Sequence, residues 1–334
     1  MPELAQKKKE KKKAGPHNNR PQQPKAQQPK PPGGQATQQQ NKPKPQPAKA
    51  PRDLVDPGVT KDETTKQDAP YGYQKNDRGA KLYGPDGIRA VDVRQGAIGD
   101  CYLAAAMASV AGTKPDAVRQ AIKDNHDGTF TVRFFELDWQ GKKSAHSETV
   151  DADLPQNGEM PAYAKSTEVV DGKQFMELWP SIIEKAYAAW KGSYEAMGHG
   201  GISGDVLTAL TGEPSKQTST SGPGEADPLW TKMKAASDQK KPMTAGSGGK
   251  DDERYKDPEA GVYGWHAYSI LGVEEVKEGD KVNRMVVLRN PWGKRRRGAD
   301  AEAVGDKTND TAQGIFKLSW AEFRRLYDNV TFNG

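Results

Sequence analysis

The pattern of apolar and polar residues predicts helices in the first half of the folded part. Residues 101–110 (CYLAAAMASV) are almost wholly apolar and rich in Ala, which predicts a buried helix. Apolar residues recur at helical spacing over 178–190, where Pro180 suits a first turn and Gly192 suits the position after the last turn. A further helical stretch covers 203–211. These segments predict a helix-rich region.

Strand-like runs form one early hairpin and most of the end of the chain. Residues 129–139 and 145–152 are joined by 140–143 (QGKK), whose glycine is typical of a hairpin turn. Near the end of the chain, strands surround one short helix that Ser319 and Glu322 open as a capping box. These late strands are predicted at 262–273, 283–290, 314–318 and 328–333.

Two polar stretches separate the helical and strand-rich parts. Residues 213–228 and 244–261 are rich in Gly, Pro, Ser and charge, which predicts loops on either side of a short helix at 228–240. A helix-rich half that precedes a strand-rich half predicts the α+β class, with a cleft between two lobes. We place the helix-rich lobe at 71–212 and the β-rich lobe at 213–334.

The first part of the chain has a different composition. Residues 1–50 contain no aromatic residue, no Ile and no Val, and consist largely of Lys, Pro and Gln. Such a segment buries too little apolar area to offset its ordering entropy. Because residues 51–70 continue polar, we predict a disordered tail over 1–70 and a fold that begins near Tyr71.

Charge is divided unevenly along the chain. Residues 1–50 hold 12 Lys or Arg against 2 Asp or Glu, whereas the rest of the chain is mildly acidic. The tail is either a solubilising extension, which we favour, or a tether to anionic surfaces or nucleic acid. Basicity confined to a tail is weak evidence for specific nucleic-acid binding by the folded part.

Targeting signals are also absent from the sequence pattern. No apolar run reaches the roughly 18 residues of a transmembrane helix, and no apolar segment follows the basic start at 1–13 as in a signal peptide. The expected location is cytoplasmic by default, with leaderless export left open. A single cysteine rules out an intramolecular disulfide and argues against a disulfide-stapled secreted scaffold.

That cysteine follows a glycine loop and opens the Ala-rich helix. The free N–H groups and partial positive charge of a helix N-terminus favour a thiolate at Cys101. The Cys101 N–H and the side-chain N–H of Gln95 can both point toward an oxyanion formed at the cysteine. The alternative is a small buried residue without chemistry, which would leave the loop of residues 95–100 (QGAIGD) without an evident purpose.

A thiol nucleophile needs a base, and His266 is the best candidate. It lies in an aromatic, strand-like run, GWHAYSI, and Asn290 follows 24 residues later in VVLRNPWG. An amide oxygen that accepts from the imidazole would fix the tautomer of the histidine. His199 lies among glycines and is able to line a cleft. The remaining histidines are predicted to be solvated or in the tail: His17, His126 and His146.

Several segments, in order, resemble the calpain family, a two-lobed branch of the papain-like thiol peptidases. They are QGAIGDCYLAAAMAS, LWPSIIEKAYAAWKGSYEA with the glycines that follow it, GWHAYSILGVEEV, LRNPWG and GIFKLSWAEF. The resemblance covers about 71–334 and implies a papain-like two-lobed catalytic core that hydrolyses protein substrates. The implied triad is Cys101, His266 and Asn290, with Gln95 as oxyanion donor.

The resemblance also assigns supporting roles. Trp292 would cover the hydrogen bond between histidine and asparagine, and the backbones of Gly201 and Trp265 would pair with an extended substrate. The sequence departs from the family at Trp265, where glycine is usual, and at Tyr102, where tryptophan is usual. Ala90 stands where the family often has an arginine that helps to align the lobes.

Calcium is implied for one lobe only. Asp92, Glu177 and the carbonyl of Gly87 fall on ligand positions of the first lobe, and oxygen ligands suit this hard cation. The alternative for the two acids is an ordinary surface pair. In the second lobe the acidic positions are replaced, so that site is predicted to be absent; the replacements are Arg296, Gln313 and Ile315.

Two further features bear on the resemblance to the family: a basic run and the lack of an EF-hand pattern. Residues 294–297 (KRRR) are either a solvated loop or a cluster that attracts acidic substrates or supplies fixed positive charge in place of calcium. No EF-hand loop pattern occurs, which predicts a catalytic core alone. Two rival functions remain open: an inactive calpain-like binding module, and acyl transfer of the transglutaminase type, which Asn290 disfavours because those enzymes use Asp.

Overall fold

A computed structural model describes most of the chain from residue 52 onward. The described residues are 52–61, 66, 68–75, 79–166, 168–170, 173–222, 226–249, 252–256, 261–294 and 313–334. The predicted disorder of 1–51 and most of the basic run at 294–297 lie outside them.

Five of the seven described helices occur where the sequence predicts them, whereas the two short helices at Pro115–Ala121 and Tyr194–Met197 were not predicted. The first begins at Cys101 and is buried along almost its whole length, since its small alanines let other elements approach on every side. Gly192, with φ of 100°, ends the third helix as predicted. No described helix is long and apolar enough to cross a membrane. The helices are α1 Cys101–Thr113, α2 Pro115–Ala121, α3 Trp179–Lys191, α4 Tyr194–Met197, α5 Ser203–Thr211, α6 Ala226–Asp238 and α7 Trp320–Leu326.

The strands form antiparallel sheets, the largest in the last third of the chain. They are β1 Tyr73–Lys75, β2 Ile122–Asp124, β3 Thr129–Leu137, β4 Lys143–Asp151, β5 Asp153–Asn157, β6 Met160–Pro161, β7 Glu168–Val170, β8 Lys173–Phe175, β9 Ser215–Ser219, β10 Met243–Ser247, β11 Ala267–Glu278, β12 Lys281–Arg289, β13 Ile315–Ser319 and β14 Tyr327–Asn333. The six-stranded sheet has the order β13-β12-β11-β10-β14-β9, and the smaller sheets are β2-β3-β4, β1-β5-β6 and β7-β8.

Buried apolar side chains form two clusters. One surrounds α1, α3 and α5, and the other lies between the six-stranded sheet, α6 and α7. Hydrogen bonds join α1 to the sheet: the Ser269 hydroxyl donates to the Ala105 carbonyl over 2.7 Å, and the Ser109 hydroxyl donates to the Met243 carbonyl over 2.8 Å. The cysteine helix therefore lies directly against β10 and β11, the strands on either side of His266 in the chain.

Two strands lie where the sequence pattern predicted loops. β9 falls within 213–228, and β10, which begins the stretch read as 244–261, is central in the six-stranded sheet. Only Met243 and Ala245 of β10 belong to the apolar cluster, whereas the remaining positions carry Thr, Gly and Ser. Such a strand shows little apolar alternation, so its composition imitates a loop.

The fold also begins earlier than predicted. Residues 52–61 contact the folded part in an extended conformation, although the sequence placed them in the tail. The Leu54 N–H donates to the Asp151 carboxylate over 2.6 Å, and Asp56 pairs with the buried Lys185 over 2.6 Å. The fold therefore begins before Tyr71, where the sequence had placed its start, because the Leu54 N–H and the Asp56 carboxylate pair with buried charged groups.

Candidate active site

The loop before α1 positions Cys101 at a helix N-terminus. The Asp100 carbonyl accepts the N–H groups of Leu103 and Ala104 over 2.8 and 3.1 Å, so the helix starts at the cysteine. A Cβ on Gly96 would lie 2.2 Å from the Ala162 carbonyl oxygen, a separation that only glycine avoids. This crowding explains why the loop before Cys101 has glycine at position 96.

Antiparallel pairing brings His266 and Asn290 together. His266 precedes β11 and Asn290 follows β12, and Ser269 lies opposite Arg289 in the register of these strands. The His266 Nε2 lies 2.9 Å from the Asn290 Oδ1, which also accepts the Trp292 N–H over 3.0 Å. An amide oxygen only accepts, so His266 carries its proton on Nε2 and keeps the Nδ1 lone pair.

One cleft contains most of the predicted site. It has a volume of about 770 Å³, and its lining includes both the thiol-bearing residue and the imidazole. The Trp292 ring lies 4.4 Å from the His266 ring between centroids and covers the bond to Asn290. The predicted residues that line the cleft are Gln95, Cys101, His199, Gly201, Trp265, His266 and Trp292.

Gln95 joins the cysteine loop to the asparagine segment. Its Nε2 donates to the Ile98 carbonyl over 2.7 Å. Its backbone N–H donates to the Pro291 carbonyl over 3.0 Å. Gln95 is thus held through its side chain at the cysteine loop and through its backbone at the asparagine segment.

Burial keeps the thiol and the imidazole neutral. It raises the pKa of Cys101 to about 11, against the lowering effect of the Ala267 N–H at the sulfur. Burial likewise lowers the pKa of His266 to about 4, against the opposing effect of Asn290. The helix N-terminus alone had predicted a thiolate; in the structure desolvation outweighs it. Within the described residues no hydrogen bond joins the two groups.

A buried carboxyl pair behind the cysteine was missed from the sequence. Burial raises the pKa of Asp100 to about 7. Burial and the neighbouring Asp100 raise the pKa of Glu184, whose two oxygens accept the Ala164 N–H over 2.9 Å. Burial therefore favours a proton on this pair of carboxyl groups. Glu184 lies between Ile183 and Tyr187 on the apolar stripe of α3, and that position was the available signal.

Arg289 is a second residue that sequence reasoning missed. It is fully buried, and its Nη2 donates to the carbonyls of Val93 and Val91 over 2.7 and 3.2 Å. Burial lowers its pKa to about 10, so it remains charged at neutral pH. It ties β12, which Asn290 follows, to the segment that leads to Gln95.

The predicted calcium residues are buried, so they are no ordinary surface pair. The Glu177 carboxylate accepts the Gly84 N–H and, over 2.8 Å, the Ser166 hydroxyl. The Asp92 carboxylate accepts the Arg89 N–H over 2.7 Å, and burial raises the pKa of Asp92. These two oxygen-bearing side chains and the loop through Gly87, which has φ of 81°, are compatible with a hard cation.

The other positions considered for calcium are less suited to bind it. Gln313 and Ile315 of the predicted second calcium site carry no carboxylate, and Arg296 lies outside the described residues. The carboxylates of Asp53, Asp151 and Asp153 lie within 4.8 Å of one another. The Lys185 ammonium already occupies that position, 2.5 Å from Asp151 and 2.7 Å from Asp153.

Comparisons with known proteins agree with this geometry. The family described as calpain family cysteine protease matches residues 73–332. The calpain-type cysteine protease DEK1 of Zea mays is 30% identical over 265 residues, which are 73% of this chain and 11% of that protein. The calpain-2 catalytic subunit of Mus musculus is 28% identical over 267 residues, 73% of this chain and 35% of that protein. The chain thus spans only a minor part of either relative.

Proposed function

The chain belongs to the calpain family of cysteine proteases, and from this premise we propose that it hydrolyses peptide bonds of protein substrates with a triad of Cys101, His266 and Asn290. The observation that carries the proposal is the single cleft that contains the cysteine and the hydrogen-bonded pair of His266 and Asn290. The expected class is a calpain-like endopeptidase. Its core would have two lobes, at 71–212 and 213–334, one for each apolar cluster.

The proposed reaction begins with a neutral pair. The His266 Nδ1 takes the proton of the Cys101 thiol as the sulfur attacks the substrate carbonyl carbon. Asn290 holds the imidazole through Nε2, and the resulting oxyanion is stabilised by the Gln95 amide and the Cys101 N–H. His266 then gives the proton to the leaving amine as the C–N bond breaks, and water hydrolyses the thioester.

Backbone pairing would hold an extended substrate in the cleft. A Cβ on Gly201 would lie 2.5 Å from the Tyr102 ring, so glycine is required where this backbone crosses Tyr102. On the other side of the cleft, the Trp265 backbone lies directly before His266. We propose these two backbones as the strands that flank the substrate.

We further propose a calcium site at Asp92, Glu177 and the Gly87 carbonyl. Bound calcium would supply positive charge that orders the loop leading to Gln95. The two side chains supply the carboxylate oxygens that this cation prefers, and Gly87 supplies a backbone carbonyl. Of the predicted partners, contact of the basic tail with anionic surfaces stays a proposal.

An inactive calpain-like binding module is the second candidate. The high pKa of the Cys101 thiol and the bulky Trp265 beside the histidine favour it. A module of this kind would bind peptides in the cleft without cleaving them.

Casein cleavage by the purified chain tests the two candidates. We expect the parent protein to cleave casein and Cys101→Ala to be inactive, with a loss of at least about 10³-fold. His199→Ala serves as the matched control, because His199 lines the cleft edge and hydrogen-bonds Glu195 instead of Asn290. A folded parent that alkylates slowly with iodoacetamide and cleaves nothing would establish the inactive module.

A further inference from the structure

The backbone of His266 is bonded to the end of strand β10. Ser247 is the last residue of that strand, and its N–H donates to the His266 carbonyl over 3.0 Å. In the return direction, the His266 N–H donates to the Ser247 Oγ over 3.0 Å. One residue therefore bonds both backbone groups of the candidate base.

The Ser247 hydroxyl also bonds the start of the turn that leads to His266. We name residues 263–266 the histidine turn. The hydroxyl lies 2.7 Å from the Tyr263 carbonyl and 3.0 Å from the His266 carbonyl, and its single hydrogen favours the shorter contact. The same oxygen thus donates to the first residue of the histidine turn and accepts from the last.

The histidine turn packs closely against the residues that follow β10. A Cβ on Gly264 would lie 2.8 Å from the Gly249 carbonyl oxygen, a separation that only glycine avoids. The Trp265 N–H donates to the Gly248 carbonyl over 2.5 Å. The location of the turn, and with it that of the histidine backbone, therefore follows the location of the end of β10.

Trp265 within the histidine turn has a strained backbone. Its φ is 52°, a left-handed conformation that is unfavourable for a residue with a Cβ. The side chain is 78% exposed, so packing of the indole does not hold this conformation. Such strain persists only where the surroundings over-determine it. The hydrogen bonds to Gly248 and to the Ser247 hydroxyl do so here, and loss of the hydroxyl would release part of that restraint.

The imidazole of His266 is held separately from its backbone. Asn290 accepts from the ring over 2.9 Å, and the Trp292 ring covers that bond, so both contacts come from the end of β12. Ser247 holds the backbone from β10 instead. A misplacement of about 1 Å can cost about 100-fold in rate, so the ring and the backbone both need to be held.

We propose that the hydroxyl of Ser247 is a positioning group for His266, an inference that rests on the proposed peptidase function. It holds the strained histidine turn closed and so keeps the imidazole between Cys101 and Asn290. Ser247 acts through the backbone of His266 and takes no proton from the reacting groups.

Kinetics of two Ser247 variants test this role, with dye-labelled casein as substrate. In Ser247→Ala the His266 N–H loses its acceptor, and we expect kcat to fall about 10–100-fold while KM changes less than about threefold. Ser247→Thr keeps the hydroxyl and should retain kcat within about threefold. An unchanged kcat in Ser247→Ala, or an equal loss in Ser247→Thr, would overturn the inference.

Ser109→Ala is a matched control for general destabilisation. The Ser109 hydroxyl donates to the Met243 carbonyl and accepts the Met243 N–H, both over 2.8 Å, which is the same kind of reciprocal bond at the other end of β10. Because Ser109 is fully buried, its loss should lower the thermal unfolding temperature at least as much as Ser247→Ala. Its kcat should stay within about threefold of the parent. An equal loss of kcat in both variants would contradict the assignment.

Histidine side-chain NMR tests the positioning without catalysis. In ¹⁵N-labelled protein, the His266 signals are identified by their loss in His266→Ala. The parent should show the tautomer with the proton on Nε2, because Asn290 accepts there, and Ser247→Ala should show a mixture of both tautomers. If the parent cleaves nothing but Ser247→Ala loses the single tautomer, the peptidase proposal fails and the positioning role stands. Identical His266 signals in the parent and Ser247→Ala would show that the hydroxyl does not position the imidazole, whatever the activity.

Discussion

Glu184 and Lys185 are consecutive residues of α3, and both are about 1% exposed. They face different sets of acids. Lys185 contacts the carboxylates of Asp151 and Asp153 at 2.5 and 2.7 Å and Asp56 at 2.6 Å. Glu184 instead faces the buried Asp100 next to the candidate nucleophile.

The two regions neutralise buried carboxylates by different means. Around Lys185 an ammonium supplies the opposite charge, and the hydrogen bonds that it donates to the acids raise its pKa although burial alone would lower it. For Glu184 and Asp100, burial raises both pKa values and outweighs the opposing charge of Lys165, so the pair favours a proton. The acids around Lys185 therefore stay ionised because a cation balances them. The charge of the pair formed by Glu184 and Asp100 depends on pH instead.

The largest effect is expected from removal of the ammonium. Lys185→Met leaves three carboxylates without their cation, and we expect the free energy of unfolding to fall by about 3–5 kcal/mol. Urea denaturation monitored by tryptophan fluorescence measures it. Lys191→Met, at an exposed position of the same helix, is the control and should change stability by less than about 1 kcal/mol. Equal losses in both variants would refute the role of the buried charge.

The proton-sharing pair predicts a pH dependence. A carboxyl whose folded pKa is raised stabilises the fold at low pH, and that contribution is lost as the pH rises through about 7 for Asp100. Asp100→Asn should therefore gain stability relative to the parent between pH 4 and 8. The gap between 3.8 and about 7 sets an upper limit of ~4 kcal/mol.

Denaturation curves at several pH values test this prediction. The control is Asp116→Asn, which removes an exposed carboxylate at the start of α2. A stability difference between Asp100→Asn and the parent that stays constant from pH 4 to 8 would contradict proton sharing at Asp100.

A bound calcium ion would be a third way to neutralise buried carboxylates. Saturating calcium at about 100 times Kd should stabilise the parent by about 2.7 kcal/mol, and Glu177→Gln should lose this gain. Asp53→Asn should keep it, since Lys185 rather than a metal occupies the cluster of Asp53, Asp151 and Asp153. Thermal unfolding with calcium and with chelator distinguishes the two acidic groups, and no shift in the parent would remove calcium from the proposal.

The smallest effect concerns the segment 52–61. Asp56→Ala removes one of the three acids at Lys185, and its partial exposure limits the loss to about 1 kcal/mol. Val55→Ala is the neighbouring control, because Val55 is fully exposed. If the loss exceeded that of Lys185→Met, the segment would have a structural role beyond this ion pair.

The sequence alone predicted the elements that have strong periodicity. The Ala-rich α1, the amphipathic α3 and the hairpin of β3 and β4 all occur near the predicted residues. It also singled out Cys101, His266 and Asn290, because glycines, aromatic residues and an asparagine mark their segments. The sequence pattern did not predict β10, whose polar positions face the cleft. It also placed residues 52–61 in the tail, although polar groups of this segment pair with buried charged side chains.

The sequence by itself determined local properties. These are which segments are helical, where glycine permits a tight turn, and which residue types are able to react. Tertiary structure decided what each charged or polar group faces. Pairing of β11 with β12 brought His266 to Asn290, and burial reversed the expected ionisation of Cys101. The reason is that desolvation and hydrogen bonding depend on neighbours far apart in the chain, and a linear pattern does not contain those distances.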